Sequence, residues 1–362
     1  MLQPHGNFAF CASQFFALIR RHVYQMPIDS VLWRQFQYVS KTVAAPTHTG
    51  LSRPTTNKQL GDLLGKLDKS FAADNGEFLT RSKAYQAAMD KLPAYLDRCY
   101  ADKDQLIKML FYVGLQKSKQ VQGLTNNVLN KLQKNFDHLE LEDVCIMAST
   151  IFKCSVDRIN ASTVKIIAST VQNNFQQLLD SPSNLVCLIK TLRQQRHHDF
   201  ELLRKLDDSS EVWLKNPVII KGHILSYFAE AHYCPKNDKD ILSAIFKECK
   251  NGSQFRDKDL ARLLWVANII GTDLSEHDAH VIWSLIASKT EQYQKKPALF
   301  VDCLLSMAIM GHHNLVFAEK LLNQRTVDQF LSKCFCNFPF TLIILHHISI
   351  LQSQKNPCLW FD

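Results

Sequence analysis

The chain has 362 residues, 46% of them apolar and 21% charged, which is enough to bury a sizeable core and speaks against wholesale disorder. Its net charge of +8 points to a polyanion partner only until it is divided along the chain. Residues 1–60 hold Arg20, Arg21, Arg34, Lys41, Arg53 and Lys58 against Asp29, and the remainder is close to neutral. Eleven cysteines without paired spacings argue against a disulfide framework, and the 11 glycines and 11 prolines are too few for a turn-rich β protein.

Residues 1–39 read as a mitochondrial presequence-like leader. The first acid is Asp29, and FAFCASQFFALIRRHVYQ can form a basic amphipathic helix with Arg20 and Arg21 at its end. A secretory signal would place its basic residues before the apolar stretch, so the expected location is the mitochondrial matrix. Residues 40–58, with Pro46, Pro54 and five threonines, read as a linker. Residues 59–100 read as a helical N-terminal cap, with Asp74 or Asn75 capping one helix and Pro93 in the first turn of another.

From residue 101 to 331 an apolar helix followed by a more polar one recurs six times. The apolar cores are QLIKMLFYVGL from Gln105, DVCIMASTIF from Asp143, NLVCLIKTL from Asn184, HILSYFAEA from His223, DLARLLWVANIIG from Asp259 and FVDCLLSMAIMG from Phe300. Anchored near 106, 144, 185, 221, 260 and 301, they give five intervals and a period of about 39 residues. The fold class expected is all-α, an α-solenoid of helical-hairpin repeats. Asp104, Asp143, Asn184 and Asp259 are expected to cap the first helices. The second helices, such as VQGLTNNVLNKLQKNF from Val121 and SEHDAHVIWSLIASKT from Ser275, then offer the recognition surface. Residues 332–362 read as a partial or irregular terminal segment. Its exposed-looking Trp360–Phe361 end raises the expectation of a shortened form of a longer protein.

Catalytic motifs are weak. GDLLGK from Gly61 has its glycines one residue too close for a phosphate loop, and Leu67 replaces the hydroxyl that would hold magnesium. The kinase signature set is missing, and the adjacent histidines at His197–His198, His312–His313 and His346–His347 point to different helix faces. No catalytic residue, metal or cofactor is called for. No apolar run reaches the roughly 18–20 residues of a membrane span. Two basic clusters remain as candidate RNA contacts: Lys117, Lys119, Lys131 and Lys134 amid Gln and Asn, and Lys190, Arg193, Arg196 and Lys205 beside the first histidine pair.

The helical period, the leader, and the phrases DLARLLWVANIIG (259–271) and LFVDCLLSMAIMG (299–311) resemble the FAST kinase domain-containing family over roughly residues 100–331. The resemblance implies octotricopeptide-like helical repeats and a role in mitochondrial RNA metabolism. It carries over no site residue, because the similar segments are core helices. The C-terminal RAP domain usual in that family has no counterpart here. The function expected is non-catalytic binding of mitochondrial transcripts in processing, stability or translation, with RNA-processing or ribosomal proteins as further partners. A HEAT-like protein scaffold is the first alternative, favoured by the near-neutral body of the chain, and an RNA nuclease or vestigial kinase the second.

Overall fold

The computed structural model describes residues 57–74, 79–98, 101–251 and 255–312, with Asn314 and Phe317. The leader, nearly all of the linker, most of the helix expected from Asn314 and the terminal segment lie outside the described residues. Everything regular within them is helical, with no strand. Sixteen α-helices follow in order: α1 Asn57–Asp74, α2 Lys83–Arg98, α3 Lys103–Leu115, α4 Gln122–Leu132, α5 Leu141–Lys153, α6 Ala161–Asn173, α7 Phe175–Asp180 and α8 Pro182–Gln194. Then come α9 Phe200–Asp208, α10 Ser210–Trp213, α11 Val218–Glu230, α12 Asp238–Lys250, α13 Asp257–Ile270, α14 Glu276–Ser288, α15 Thr290–Lys295 and α16 Pro297–Ile309.

The six apolar segments become α3, α5, α8, α11, α13 and α16, and each packs on the next to form one row. The more polar helices lie in a second layer, where α12 packs on α14 and α4 on α2. One apolar core runs from Leu60 to Phe317 without a break between units. No helix among the described residues is long and apolar enough to cross a membrane.

The acids expected as N-caps sit one turn further in. Asp143 and Asp259 are each the third residue of their helices and reach back, accepting the backbone N–H of Glu140 at 3.1 Å and of Arg256 at 3.1 Å. In α3 the cap is Asp102 rather than Asp104, and it accepts from the Gln105 N–H at 2.8 Å. Pro182 and Pro297 open α8 and α16, where a missing N–H costs nothing, so Asn184 falls inside its helix. Asp74 is the last residue of α1 rather than a cap. Pro93 lies inside α2 rather than in a first turn. Its helix survives because Tyr85, Ala88, Met89, Leu92 and Leu96 are buried along the opposite face, while Pro93 is exposed.

The ends of the row helices share a device the apolar pattern does not reveal. Left-handed residues stand at Lys117, Ser155, Arg196, His232, Gly271 and Gly311. Each falls fourteen positions after the first residue of its helix, at 103, 141, 182, 218, 257 and 297. At five of the six, all but Lys117, the residue that follows bonds back into the last turn, as from Val156 N to Ile151 O at 3.0 Å, His197 N to Leu192 O at 2.9 Å and Thr272 N to Ala267 O at 2.9 Å. That bond closes the exposed carbonyls and turns the chain toward the second layer. Two expected RNA contacts, Lys117 and Arg196, are thus left-handed residues at row-helix ends.

Hydroxyls tie successive row helices together. Thr150 Oγ1 donates to Leu110 O at 2.8 Å, and Thr191 Oγ1 donates to Ala148 O at 2.8 Å. The close approach at the first pair needs Gly114, where an added Cβ would lie 2.6 Å from Thr150 Oγ1. Gly114→Ala should therefore destabilise by about 1–3 kcal/mol through overpacking. Gly271→Ala meets no neighbour and should cost about 1 kcal/mol, from backbone conformation alone. Urea unfolding monitored by circular dichroism distinguishes these costs from no change. Adding Thr150→Ala, which removes the Oγ1 that the new Cβ would meet, should cost less in the Gly114→Ala background than in the unaltered protein, and no less in the Gly271→Ala background.

Candidate nucleic-acid interface

The row helices are not wholly sandwiched, as the sequence pattern implied. They keep one open stripe, where Phe152 is 41% exposed and Lys258 is exposed. Lys190 and Arg193 lie three residues apart on α8 and so on one face of it. The Lys190 ammonium sits 5.5 Å from the ring centre of Phe152 on α5. Arg193 crosses to α11, with Nη2 2.5 Å from Glu230 Oε1 and Nη1 3.5 Å from His223 Nδ1.

From the other side come Arg256, which caps α13, and Lys258 and Arg262 on α13 itself. The Asp259 side chain, 1% exposed, aims two of them. Arg256 donates to it through Nε and Nη2, both at 2.8 Å, and Arg262 through Nη1 at 3.1 Å. The Arg262 stem passes over Gly222 of α11, with Cδ 3.7 Å from where a Cβ would stand. Arg193 and Arg262 thereby reach the same turn of α11 from its two neighbours. Trp265, one turn beyond Arg262, is partly exposed on α13.

The electrostatics record the crowding. Burial pushes the Lys190 ammonium down, and Arg262, Arg256 and Lys258 push it further. No carboxylate among the described residues pairs with it. The Arg262 guanidinium is lowered by burial, with Asp259 opposing and Arg193 and Arg256 adding to the effect. His223 is pushed down to about 2 by burial and then by Arg262, Lys190 and Arg193, so its ring is neutral in the folded protein. Burial also opposes ionisation of Asp259, yet its bonds to Arg256 and the charges of Arg256 and Arg262 hold the carboxyl below its usual value. Five cations face two carboxylates, Asp259 and Glu230, which leaves an excess of three positive charges.

Of the residues singled out in the sequence, Lys190 and Arg193 lie in this junction. The others are dispersed. Lys117, Lys119 and Lys134 are exposed around α4, which packs on α2, α3 and α5. Lys131 donates to the Leu96 carbonyl, a bond that joins α4 to α2. Lys205 is held by Gln172 Oε1 at 2.7 Å and by Glu201 at 3.3 Å, beside an open cleft also lined by Asn173, Asn174 and Asp208. Sequence reading missed Arg256, Lys258, Arg262 and His223, since Asp257 and Asp259 cancel the local charge of α13. A signal existed in the register: five residues after each helix start stand Cys187, His223 and Arg262. The cysteines offer no nucleophile here. Burial pushes the Cys145 thiol up to about 12, and Cys187 is raised for the same first reason.

His223 makes stability depend on pH. Its folded value lies below the unfolded value of about 6.5, so the unfolded chain binds the extra proton. That contribution is complete above pH 6.5 and falls as pH drops, by roughly 2 kcal/mol at pH 5. A His223→Gln variant should lack this fall between pH 7.5 and pH 5 in urea titrations, and an unchanged slope would contradict the burial of a neutral ring. No family model and no curated protein matches the chain, so what this junction does has to be read from its own chemistry.

Proposed function

We propose that this protein is an α-solenoid whose open row face binds single-stranded RNA without catalysing a reaction. The observation that carries the reading is the approach of Arg193 and Arg262 to α11 with Lys190 beside them, an excess of positive charge in which Lys190 has no counter-ion among the described residues. Half-buried like charges repel, and a bound polyanion relieves that repulsion. Phe152 and Trp265 beside the cations add flat surfaces on which unpaired bases stack, at about 1–3 kcal/mol per base. A duplex would shield its bases from such surfaces, which favours a single strand.

The repeat reading has its own support. The row helices begin at 103, 141, 182, 218, 257 and 297, and each is followed by a left-handed residue at the same offset. These starts are compatible with helical-hairpin units of about 39 residues. The resemblance to the FAST kinase domain-containing family supports mitochondrial transcripts as the RNA and the matrix as the location, with an effect on processing, stability or translation through occupancy of the strand.

The test is binding of a labelled, unstructured RNA to the full chain across a salt series. Sub-micromolar binding that weakens steeply with salt is expected. Lys190→Gln should weaken it about tenfold and lower the salt slope by about one. Replacing Lys117, Lys119 and Lys134 together by Gln should cost only about threefold, as solvated charges far from the stripe do. Absence of binding at low salt, or loss caused by the triple variant alone, would contradict the assignment.

A further inference from the structure

We infer that the junction over Gly222 is a seat for a terminal phosphate monoester, the phosphorylated end of a strand rather than one of its internal linkages. The inference rests on the RNA reading above and adds to it which part of the RNA is held. Three observations carry it.

The cations converge instead of forming a track. Arg193 from α8 reaches His223 and Glu230 of α11, and Arg262 from α13 lies against Gly222, where the missing side chain lets its stem approach. Other cations of the row have a carboxylate partner, Lys103 in Asp143 at 3.0 Å, Lys108 in Asp68 at 2.6 Å, Lys296 in Asp257 at 2.8 Å and Lys221 in Glu248, whereas the exposed Lys153 of α5 has none among the described residues. A surface that followed a backbone would spread its unmatched charge over several helices. Here the charges of Lys190, Arg193, Arg262, Arg256 and Lys258 gather at one junction, in excess of Asp259 and Glu230.

Its magnitude also fits. An internal phosphodiester carries one negative charge, whereas a terminal monoester carries about −1.5 to −2 near neutral pH and adds a third acceptor oxygen. An excess of three positive charges within one junction is better met by the dianion.

Unfilled donors remain as well. The buried Nε–H of Arg193 has no acceptor among the described residues, and Lys190 offers an ammonium that no carboxylate takes. The Arg193 guanidinium has Nη2 on Glu230 and Nη1 facing His223, and its leftover Nε–H is available to a phosphate oxygen once the side chain turns out of its buried position.

The experiment compares one unstructured RNA 12-mer in three forms against the full chain: 5′-phosphate, 3′-phosphate, and hydroxyl at both ends. Each carries its label internally, and inorganic phosphate serves as a separate competitor. At least one phosphorylated form should bind tenfold or more tightly than the hydroxyl form, and millimolar inorganic phosphate should reduce that preference. Lys190→Gln removes a side chain outside every ion pair, so the fold should tolerate it, and the preference should fall to threefold or less. Lys250→Gln, exposed on α12, should leave it intact. Equal sub-micromolar binding of all three forms would overturn the terminal-phosphate inference and leave RNA binding standing. No binding of any form would overturn both. Binding of inorganic phosphate with no RNA bound would make the junction a small-anion site and also overturn the inference.

Discussion

The packing of each row helix between its two neighbours is the constraint on which the molecule depends. A single 13-residue helix is marginal in water, and here its stability comes from burying two flanks at once. Leu185, Leu188, Ile189 and Leu192 of α8 are all buried, while α5 and α11 close on either side. Thr150 and Thr191 fix the register, because each hydroxyl has to meet one carbonyl of the helix before it. Only the edge away from the second layer is left for polar side chains. Whatever the row presents to a partner is confined to that edge, at positions set by the helix starts.

This geometry explains how distant residues come together. Lys190 and Arg262 are far apart in sequence but lie on helices separated only by α11. The buried Asp259 does two jobs there. Its bond to the Arg256 N–H completes the first turn of α13, and its carboxylate oxygens orient Arg256 and Arg262. Removing one partner of such a buried set typically costs about 3–5 kcal/mol, because the remaining charges stay desolvated. The clamp is therefore part of the fold as much as of the site. Lys190 is different: it lies over the Phe152 ring and joins no ion pair among the described residues.

The fold was more legible in the sequence than the site was. The apolar columns at Leu106, Val144, Leu185 and Leu260 identified the row helices, because burial on both flanks leaves a strong pattern. The caps were misplaced by one turn, since an acid at the third position and one at the cap look alike in a string. Four of the six left-handed residues are not glycine, so nothing in the string marks Lys117 and Arg196 as the places where the chain turns out of a row helix. The second layer was expected to carry recognition because it is more polar. In the structure Lys190, Arg193 and Arg262 come together on the row edge. That convergence spans three helices and cannot be seen within a contiguous window. Lys190 and Arg193 stood out only because no acid lies beside them in α8, whereas Arg262 was masked by Asp257 and Asp259.

The most direct test of the central claim is ultraviolet cross-linking of the full chain to 4-thiouridine-containing single-stranded RNA, with the attached peptides identified by mass spectrometry. Cross-links on the row edge, at peptides containing Phe152, Lys190 and Trp265, are the outcome this account requires. Cross-links confined to α4, α6, α9 and α12 would place recognition on the second layer and contradict it.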